Sequence, residues 1–335
     1  MANKFGLTHD EHMTLDMPSH QKTAQWLRAS RDAERNKVHD GGIKGLNLTH
    51  YKDIAAKLDG LQVGMHGILS KANIGKSTLL TSMAIDVMDT ASASSPVKSI
   101  IYTFDDDIDY MRHMLVAFKA KVSRKGVDRR NDHPDQSRKV EAAYEELQDY
   151  AERGLFVVKG VEDIRTLEEL IDDIENENNL LMSLGYDNPK MCVFLDGQAN
   201  LDTSISNIRE ANIAKASKLQ EVAKLLKIPI VLTLEVPKLN GKWRPGKEDV
   251  MESVKYSFNC VSMIALSPVD DETEHGDGYP VMSLEFVKNK FGGFKGTLFA
   301  LRKGSQAYFE MATREQEQGF QNMAIAFEKS YGAKK

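Results

Sequence analysis

The sequence predicts an α/β fold: a mainly parallel sheet flanked by helices, with antiparallel hairpins at its C-terminal edge. Two observations carry that expectation. From about residue 41 to residue 266, short apolar runs alternate with amphipathic stretches of helical length, the pattern of a parallel sheet covered on both faces. Beyond Leu266 the apolar runs follow one another closely across short turns, as antiparallel strands do.

The expected parallel strands lie at 65–70, 99–104, 155–158, 191–196, 229–235 and 260–266, and the helices between them at 77–88, 110–122, 139–153, 166–184 and 208–226. The hairpin strands are expected at 282–287, 296–302 and 306–310. This divides the chain into an N-terminal arm and linker helix over residues 1–40, one large domain over 41–312 and a C-terminal tail over 313–335, polar apart from a helical patch around 323–327. In the arm, Trp26 and Leu27 are the strong apolar anchors of a segment of good helix formers. Such a segment buries too little to fold alone and either frays or docks on a neighbouring subunit.

At 41% hydrophobic and 28% charged residues, the 335-residue chain suits a globular protein with a sizeable core. A net charge of -5 argues against a protein that coats nucleic acid over its whole surface. Any such contact has to be local. Cys192 and Cys260 sit in apolar runs without metal-ligand spacing and read as core residues of a reduced protein. No apolar stretch reaches the roughly 20 residues of a membrane span, and the N-terminus carries no signal-peptide pattern. The expected location is therefore cytoplasmic, in the bacterial host if the chain is phage-encoded.

The stretch from Gly67 to Leu80 carries the most specific chemistry. Ser70, Lys71, Ala72, Asn73, Ile74, Gly75, Lys76, Ser77 and Thr78 match the Walker pattern G-x-x-x-x-G-K-[ST], with Ser70 in the first glycine position. An apolar strand precedes the loop and a helical run follows it. That layout lets the backbone N–H groups of residues 71–76 cradle a polyphosphate at the positive end of a helix. Lys76 then reaches the β- and γ-phosphates, and Ser77 places a hydroxyl on Mg²⁺. ATP and Mg²⁺ are the implied ligands. The run Met191-Cys-Val-Phe-Leu-Asp196 ends in an acid where open α/β sheets bind ligands, so Asp196 is expected to hold Mg²⁺ through a water. A third acidic site, Asp105-Asp106-Asp107, ends the preceding strand. It suits a group that orients the attacking water, and equally a carboxylate-rich helix N-terminus.

At this point the sequence resembles the DnaB class of RecA-fold replicative DNA helicases over roughly residues 41–310. The resemblance is carried by Gly60-Leu-Gln-Val-Gly64, Ser70–Thr78, Tyr102–Asp106, Phe194-Leu-Asp196, the 223–235 helix and strand, Arg244–Ser253 and Lys288-Asn-Lys290-Phe-Gly-Gly-Phe-Lys-Gly296, in that order. The spacing of the last segment is closer to bacteriophage hexameric helicases, and the family's large N-terminal domain is not expected here. The resemblance implies a RecA-like P-loop NTPase core. It places the catalytic acid at Asp105, the γ-phosphate sensor at Glu235, and a finger for the adjacent subunit's ATP at Lys288 and Lys290. The family usually has Glu, Gln or His, and Arg at 105, 235 and 290; a lysine offers a point charge in place of a planar fork.

Lys238, Lys242, Trp243, Arg244 and Lys247 form a basic, Gly/Pro-punctuated loop with one aromatic face, the requirement for gripping a single-strand backbone. The polar segment 198–212 is a second DNA-contact candidate, on position alone. The leading reading is a ring-forming motor in DNA replication, expected as a hexamer: an ATP hydrolase translocating on single-stranded DNA as a homo-oligomer. Its expected partners are a helicase loader, a primase or a single-strand-binding protein, and no membrane. Two other readings stay open: a non-motor RecA-type ATPase for strand exchange or annealing, and a catalytically weak ATP-binding assembly subunit.

Overall fold

The computed structural model describes residues 43–91, 95–129, 134–236, 244–250, 254–269 and 279–333, together with helical positions between residues 21 and 31. The chain separates into two compact units, Met1–Lys44 and Gly45–Lys335. Among the described residues, no helix is long and apolar enough to cross a membrane.

The larger unit is built on a nine-stranded sheet, in the order β3-β2-β4-β5-β1-β6-β7-β8-β9. Its parallel strands are β1 (Gly64–Ser70), β2 (Val97–Thr103), β3 (Phe156–Lys159), β4 (Lys190–Asp196), β5 (Pro229–Glu235) and β6 (Ser262–Pro268). Antiparallel pairing then adds β7 (Val281–Asn289), β8 (Thr297–Lys303) and β9 (Tyr308–Met311). The mainly parallel, helix-covered sheet with antiparallel strands at its C-terminal side is the arrangement that the spacing of apolar runs predicts.

Strands β1, β2 and β4 are buried almost throughout because helices cover both faces. Met65, Leu69, Val193, Leu195, Ile230 and Leu232 share one core with Leu170, Ile171 and Ile174 of α6 (Leu167–Ser183) and Leu219, Val222 and Ala223 of α7 (Ile208–Leu225). The alternate residues Ile68, Ile101, Phe194 and Val231, also buried, point to the opposite face, where α2 (Lys76–Asp89) packs on β2 and β4. Helix α2 is buried nearly all round. Its Asp86 carboxylate accepts from the backbone N–H groups of Thr49, His50 and Tyr51 at 2.7–3.0 Å, pinning the segment that leads into α1 (Lys52–Leu58). Helices α3 (Ile108–Ala120), α4 (Arg124–Asp128) and α5 (Pro134–Glu152) follow β2, and α8 (Val254–Asn259) precedes β6.

The C-terminal segment is more ordered than its polarity suggests. Arg314–Ala333 forms one helix, α9. Thr313 and Gln316 exchange side-chain-to-backbone hydrogen bonds at its start, a reciprocal cap. Phe320, Met323 and Ala324 seat the helix on Val269, Val281, Phe299 and Leu301. Cys192 and Cys260 are free and buried, as expected of core residues.

His66, in the middle of the sheet, is buried with both ring nitrogens engaged. Nε2 donates to the Gln62 carbonyl at 2.7 Å, so Nδ1 accepts from the Ser262 hydroxyl, also at 2.7 Å. Burial pushes its pKa down to about 4, against the pull of the Gln62 carbonyl. Between pH 6.5 and 4 the unfolded chain therefore binds a proton that the native state refuses, and stability falls as the pH drops through that window. Chemical denaturation at pH 7.5 and pH 4.5 should show His66→Gln losing less stability on acidification than the parent. The difference should approach about 3 kcal/mol as the pH nears 4, and equal acid sensitivity of the two proteins would exclude His66 as the cause.

Candidate active site

Parallel pairing brings the C-terminal ends of β1, β2, β4 and β5 into one row. The register places Ser70 beside Glu235 and Thr103 beside Asp196. The loops leaving these four strands surround a cleft of about 740 Å³ lined by Gly75, Lys76, Ser77, Thr78, Asp105, Asp106, Asp196 and Glu235. Residues far apart in sequence thus meet at one site because each stands at or just beyond the end of a strand.

The loop between β1 and α2 is tightly turned. Asn73 has φ +63° and Gly75 φ +112°. A Cβ on Gly75 would lie 3.0 Å from Phe309 Cζ and 3.4 Å from Arg302 Cδ, so both conformation and space call for glycine there. Ser70, in the first-glycine position, is buried and turns its hydroxyl back to donate to the Lys71 carbonyl at 2.8 Å. Lys76 is buried at the start of α2. Its ammonium donates to the carbonyls of Ser70 and Lys71 at 3.4 and 3.2 Å and lies 3.4 Å from Glu235 Oε1. Lys71, Ala72, Asn73, Ile74, Ser77 and Thr78 complete the turn into the helix.

Asp196 ends β4 at 2% exposure. Its Oδ1 accepts from the Thr233 hydroxyl at 2.8 Å, and Thr233 in turn accepts from the Gly197 N–H at 3.1 Å. Oδ2 is buried and has no hydrogen-bond partner among the described residues. Burial raises the pKa of this carboxyl, opposed by the Ser77 and Thr233 hydroxyls. A buried carboxylate oxygen without a partner, next to a serine hydroxyl, is a place where a hard cation fits. No group of three or more His, Cys, Asp or Glu among the described residues is arranged to hold a metal. Mg²⁺ would thus rest on Ser77, Asp196, water and the phosphates it arrives with.

The structure divides the three aspartates. Asp107 caps α3, accepting from the Tyr110 N–H at 2.7 Å. Asp105 and Asp106 line the cleft. Asp105 is exposed and packs on Gly197, where an added Cβ would fall 2.8 Å from the Asp105 Cβ. Asp106 is half-buried, and its pKa rises to about 6, first through burial and then through the charges of Asp196, Asp105 and Asp107, with Arg124 opposing. Both readings of the cluster thus find a residue, one as a helix cap and two as pocket acids.

Arg124 and Arg302 line the same cleft, together with Tyr110 and Tyr279, and no motif in the sequence singles them out. Arg124 lies over the Tyr110 ring and donates to its hydroxyl. Arg302 Nη1 donates to the Asn73 and Ile74 carbonyls, at 3.0 Å each. Arg302 lies more than 220 residues from the loop, and only the pairing of β7, β8 and β9 brings it there.

Lys288 and Lys290 lie elsewhere. Strand β7 runs against β6, with Met282 beside Pro268 and Asn289 beside Ser262, so its C-terminal end is at the far end of the sheet from the phosphate loop. Over a seven-residue strand such as β1 that separation is about 20 Å. Lys288 donates to the Ser257 and Phe258 carbonyls at 2.5 and 3.0 Å, capping α8, and burial, then Lys290, lowers its pKa. Lys290 is exposed. Neither lysine lines its own chain's cleft.

Of the basic loop, Lys238, Lys242 and Trp243 fall outside the described residues. Lys247 is exposed. Arg244 lies 3.1 Å from Glu328 of α9 and 3.8 Å from Glu285, so acids already face its charge. The 198–212 segment lines a second cleft of about 450 Å³ that reaches Glu235, and in it buried Lys215 donates to the Ala199 carbonyl at 2.7 Å.

Comparison with protein-family models and with curated proteins finds no match. Solved structures do match. The chain is similar to a solved ATPase domain of a phage protein, with a TM-score of 0.73 and 13% identity, over 89% of this chain and 100% of that one. It is also similar to a DnaB-like replicative helicase, described together with its interactions with primase, with a TM-score of 0.69 and 13% identity. That match covers 84% of this chain and 65% of the other, so the present chain spans just under two thirds of that helicase. The chain has the fold of the ATPase domain of DnaB-like replicative helicases.

Proposed function

We propose that this protein is an ATP-hydrolysing DNA helicase subunit that assembles into a ring and moves along single-stranded DNA during replication. The observation that carries the reading is the convergence of Lys76, Ser77, Asp196 and the 105–106 carboxylates on one cleft at the C-terminal ends of the parallel strands, in a fold shared with helicase ATPase domains. Phosphoryl transfer needs little covalent help from a protein. It needs a cradle, a metal, a placed water and positive charge where the transition state develops it.

Each need has a residue. The N–H groups of 71–76 and the Lys76 ammonium hold the phosphates, and Lys76 exchanges its carbonyl partners for phosphate oxygens. Ser77 and Asp196 hold Mg²⁺, which when bound neutralises charge between the β- and γ-phosphates. Asp105 orients the attacking water, with Asp106 beside it. Glu235, bonded to Lys76 and reaching both clefts, reports the γ-phosphate to the basic 237–247 segment. Lys288 and Lys290, remote from their own chain's cleft, serve the ATP of the next subunit. A loader, primase or single-strand-binding protein would act on the assembled ring.

Lys76→Ala should abolish ATP hydrolysis with the fold retained by circular dichroism. Asp196→Ala should weaken nucleotide binding in the presence of Mg²⁺ more than in its absence. Asp105→Asn should bind ATP normally and lose turnover. If Asp106→Asn alone stops hydrolysis while Asp105→Asn does not, the water-orienting acid is one residue further along. Forked-DNA unwinding by the parent, and its loss in Lys76→Ala, tests the motor; ATPase activity without unwinding would favour the strand-exchange reading.

The basic segment is tested separately. Removing one phosphate-binding cation should reduce the salt slope of single-strand binding by about 0.7. Replacing Lys238, Lys242 and Lys247 together by Ala should flatten that slope. Arg244→Ala should flatten it least, because Glu328 and Glu285 already face that charge. Unchanged affinity and slope in the triple variant would remove the segment from the DNA path.

A further inference from the structure

We propose that Arg302 is a positioning residue that pre-sets the phosphate loop for its ligand from the antiparallel side of the sheet, a role that rests on reading the loop as a nucleotide site. In a trans peptide the C=O of one residue and the N–H of the next point in opposite directions. Arg302 Nη1 holds the carbonyls of Asn73 and Ile74, each at 3.0 Å. The N–H groups of Ile74 and Gly75 are thereby turned the other way, away from the guanidinium. These are two of the donors that a polyphosphate would meet, and the apex they belong to is the strained part of the loop, with Asn73 at φ +63° and Gly75 at φ +112°.

The surroundings of Arg302 fit a brace. Arg302 and Phe309 are cross-strand partners on β8 and β9, so their side chains share a face. Both close on Gly75, with Arg302 Cδ and Phe309 Cζ nearest to the position of an added Cβ. The guanidinium is half-buried, and burial lowers its pKa. No carboxylate forms an ion pair with it among the described residues; its bonds go to the loop. A charge held at a desolvation cost without a counter-ion, beside a cleft built for a polyanion, adds favourable field as well as geometry. Ser70 gives the brace a reason. The first glycine position carries a side chain whose hydroxyl bonds to the Lys71 carbonyl, so the start of the loop is fixed locally and the apex is fixed by β8.

The test compares Arg302→Met, Arg302→Lys and Lys76→Ala with the parent in the full chain. Methionine keeps an apolar stem against Gly75 and Phe309 and removes every donor, which protects the fold; lysine restores the charge and a donor. The measurements are equilibrium binding of fluorescent ATP and ADP analogues with Mg²⁺, steady-state kcat and KM, and amide hydrogen exchange of the 71–77 segment without nucleotide. Arg302→Met should raise Kd and KM about tenfold, the scale of removing hydrogen bonds from a charged donor, with kcat changed less than about threefold. Exchange in 71–77 should speed up while the sheet core stays protected. Arg302→Lys should recover part of both effects. Wild-type affinity and loop exchange in Arg302→Met, with binding abolished in Lys76→Ala, would overturn the brace and leave the nucleotide site standing. Unimpaired binding in Lys76→Ala would overturn the site reading, and the brace with it.

Discussion

The register of four parallel strands is the constraint on which the site depends. Pairing Ser70 with Glu235 and Thr103 with Asp196 puts the phosphate loop, a buried carboxylate and an acidic strand end within one cleft. A slip of one residue in any of these ladders would turn every side chain of that strand to the other face. The burial of both faces of β1, β2 and β4 makes such a slip costly. The core thus serves the chemistry by fixing where strands end. Thr233 shows how finely this works: one hydroxyl, supplied by β5, donates to Asp196 and accepts from Gly197, setting both the acid and the turn after it.

The same sheet gives the protein two functional ends. The parallel strands carry the nucleotide cleft at their C-terminal ends, while antiparallel β7 delivers Lys288 and Lys290 to the opposite end. Lys288 is held there by carbonyls of α8. A single chain therefore presents the cleft at one end and the lysine pair at the other, the geometry that a head-to-tail assembly uses. Glu235 lies between the cleft and the basic segment in sequence and lines both clefts in space, which suits a residue that links phosphate state to the DNA path. At the base of that segment, Arg244 is tied to α9 and β7 through Glu328 and Glu285.

Much of this is legible in the sequence because it is local. Buried parallel strands announce themselves as continuous apolar runs, and the strands expected over 65–70, 191–196 and 229–235 begin and end within one residue of those bounds. Gly75-Lys76-Ser77 and Asp196 stand out by their position at strand ends. What the sequence hides depends on pairing between distant segments or on weak local signals. Arg302 carries no motif, and its meaning comes from the β7–β8–β9 ladder. Arg124 enters the cleft from a short helix, α4, that periodicity cannot detect in five residues. Helix α9 is hard to recognise because its polar surface hides a narrow apolar contact at Phe320, Met323 and Ala324; the Thr313–Gln316 cap is the signal that marks its start. The roles of Asp105 and Asp106 differ by burial, which adjacent identical residues cannot reveal in sequence.

Completion of one chain's cleft by Lys290 of the next chain is tested most directly by mixing two variants. Lys76→Ala subunits keep an intact lysine pair, and Lys290→Ala subunits keep an intact phosphate loop. Each variant alone should be inactive or nearly so in ATP hydrolysis. Mixing the two should restore activity in part, because some interfaces then contain both intact halves, and the restored activity should vary with the mixing ratio. An active Lys290→Ala protein, or no recovery on mixing under conditions where the variants co-assemble, would contradict a shared site.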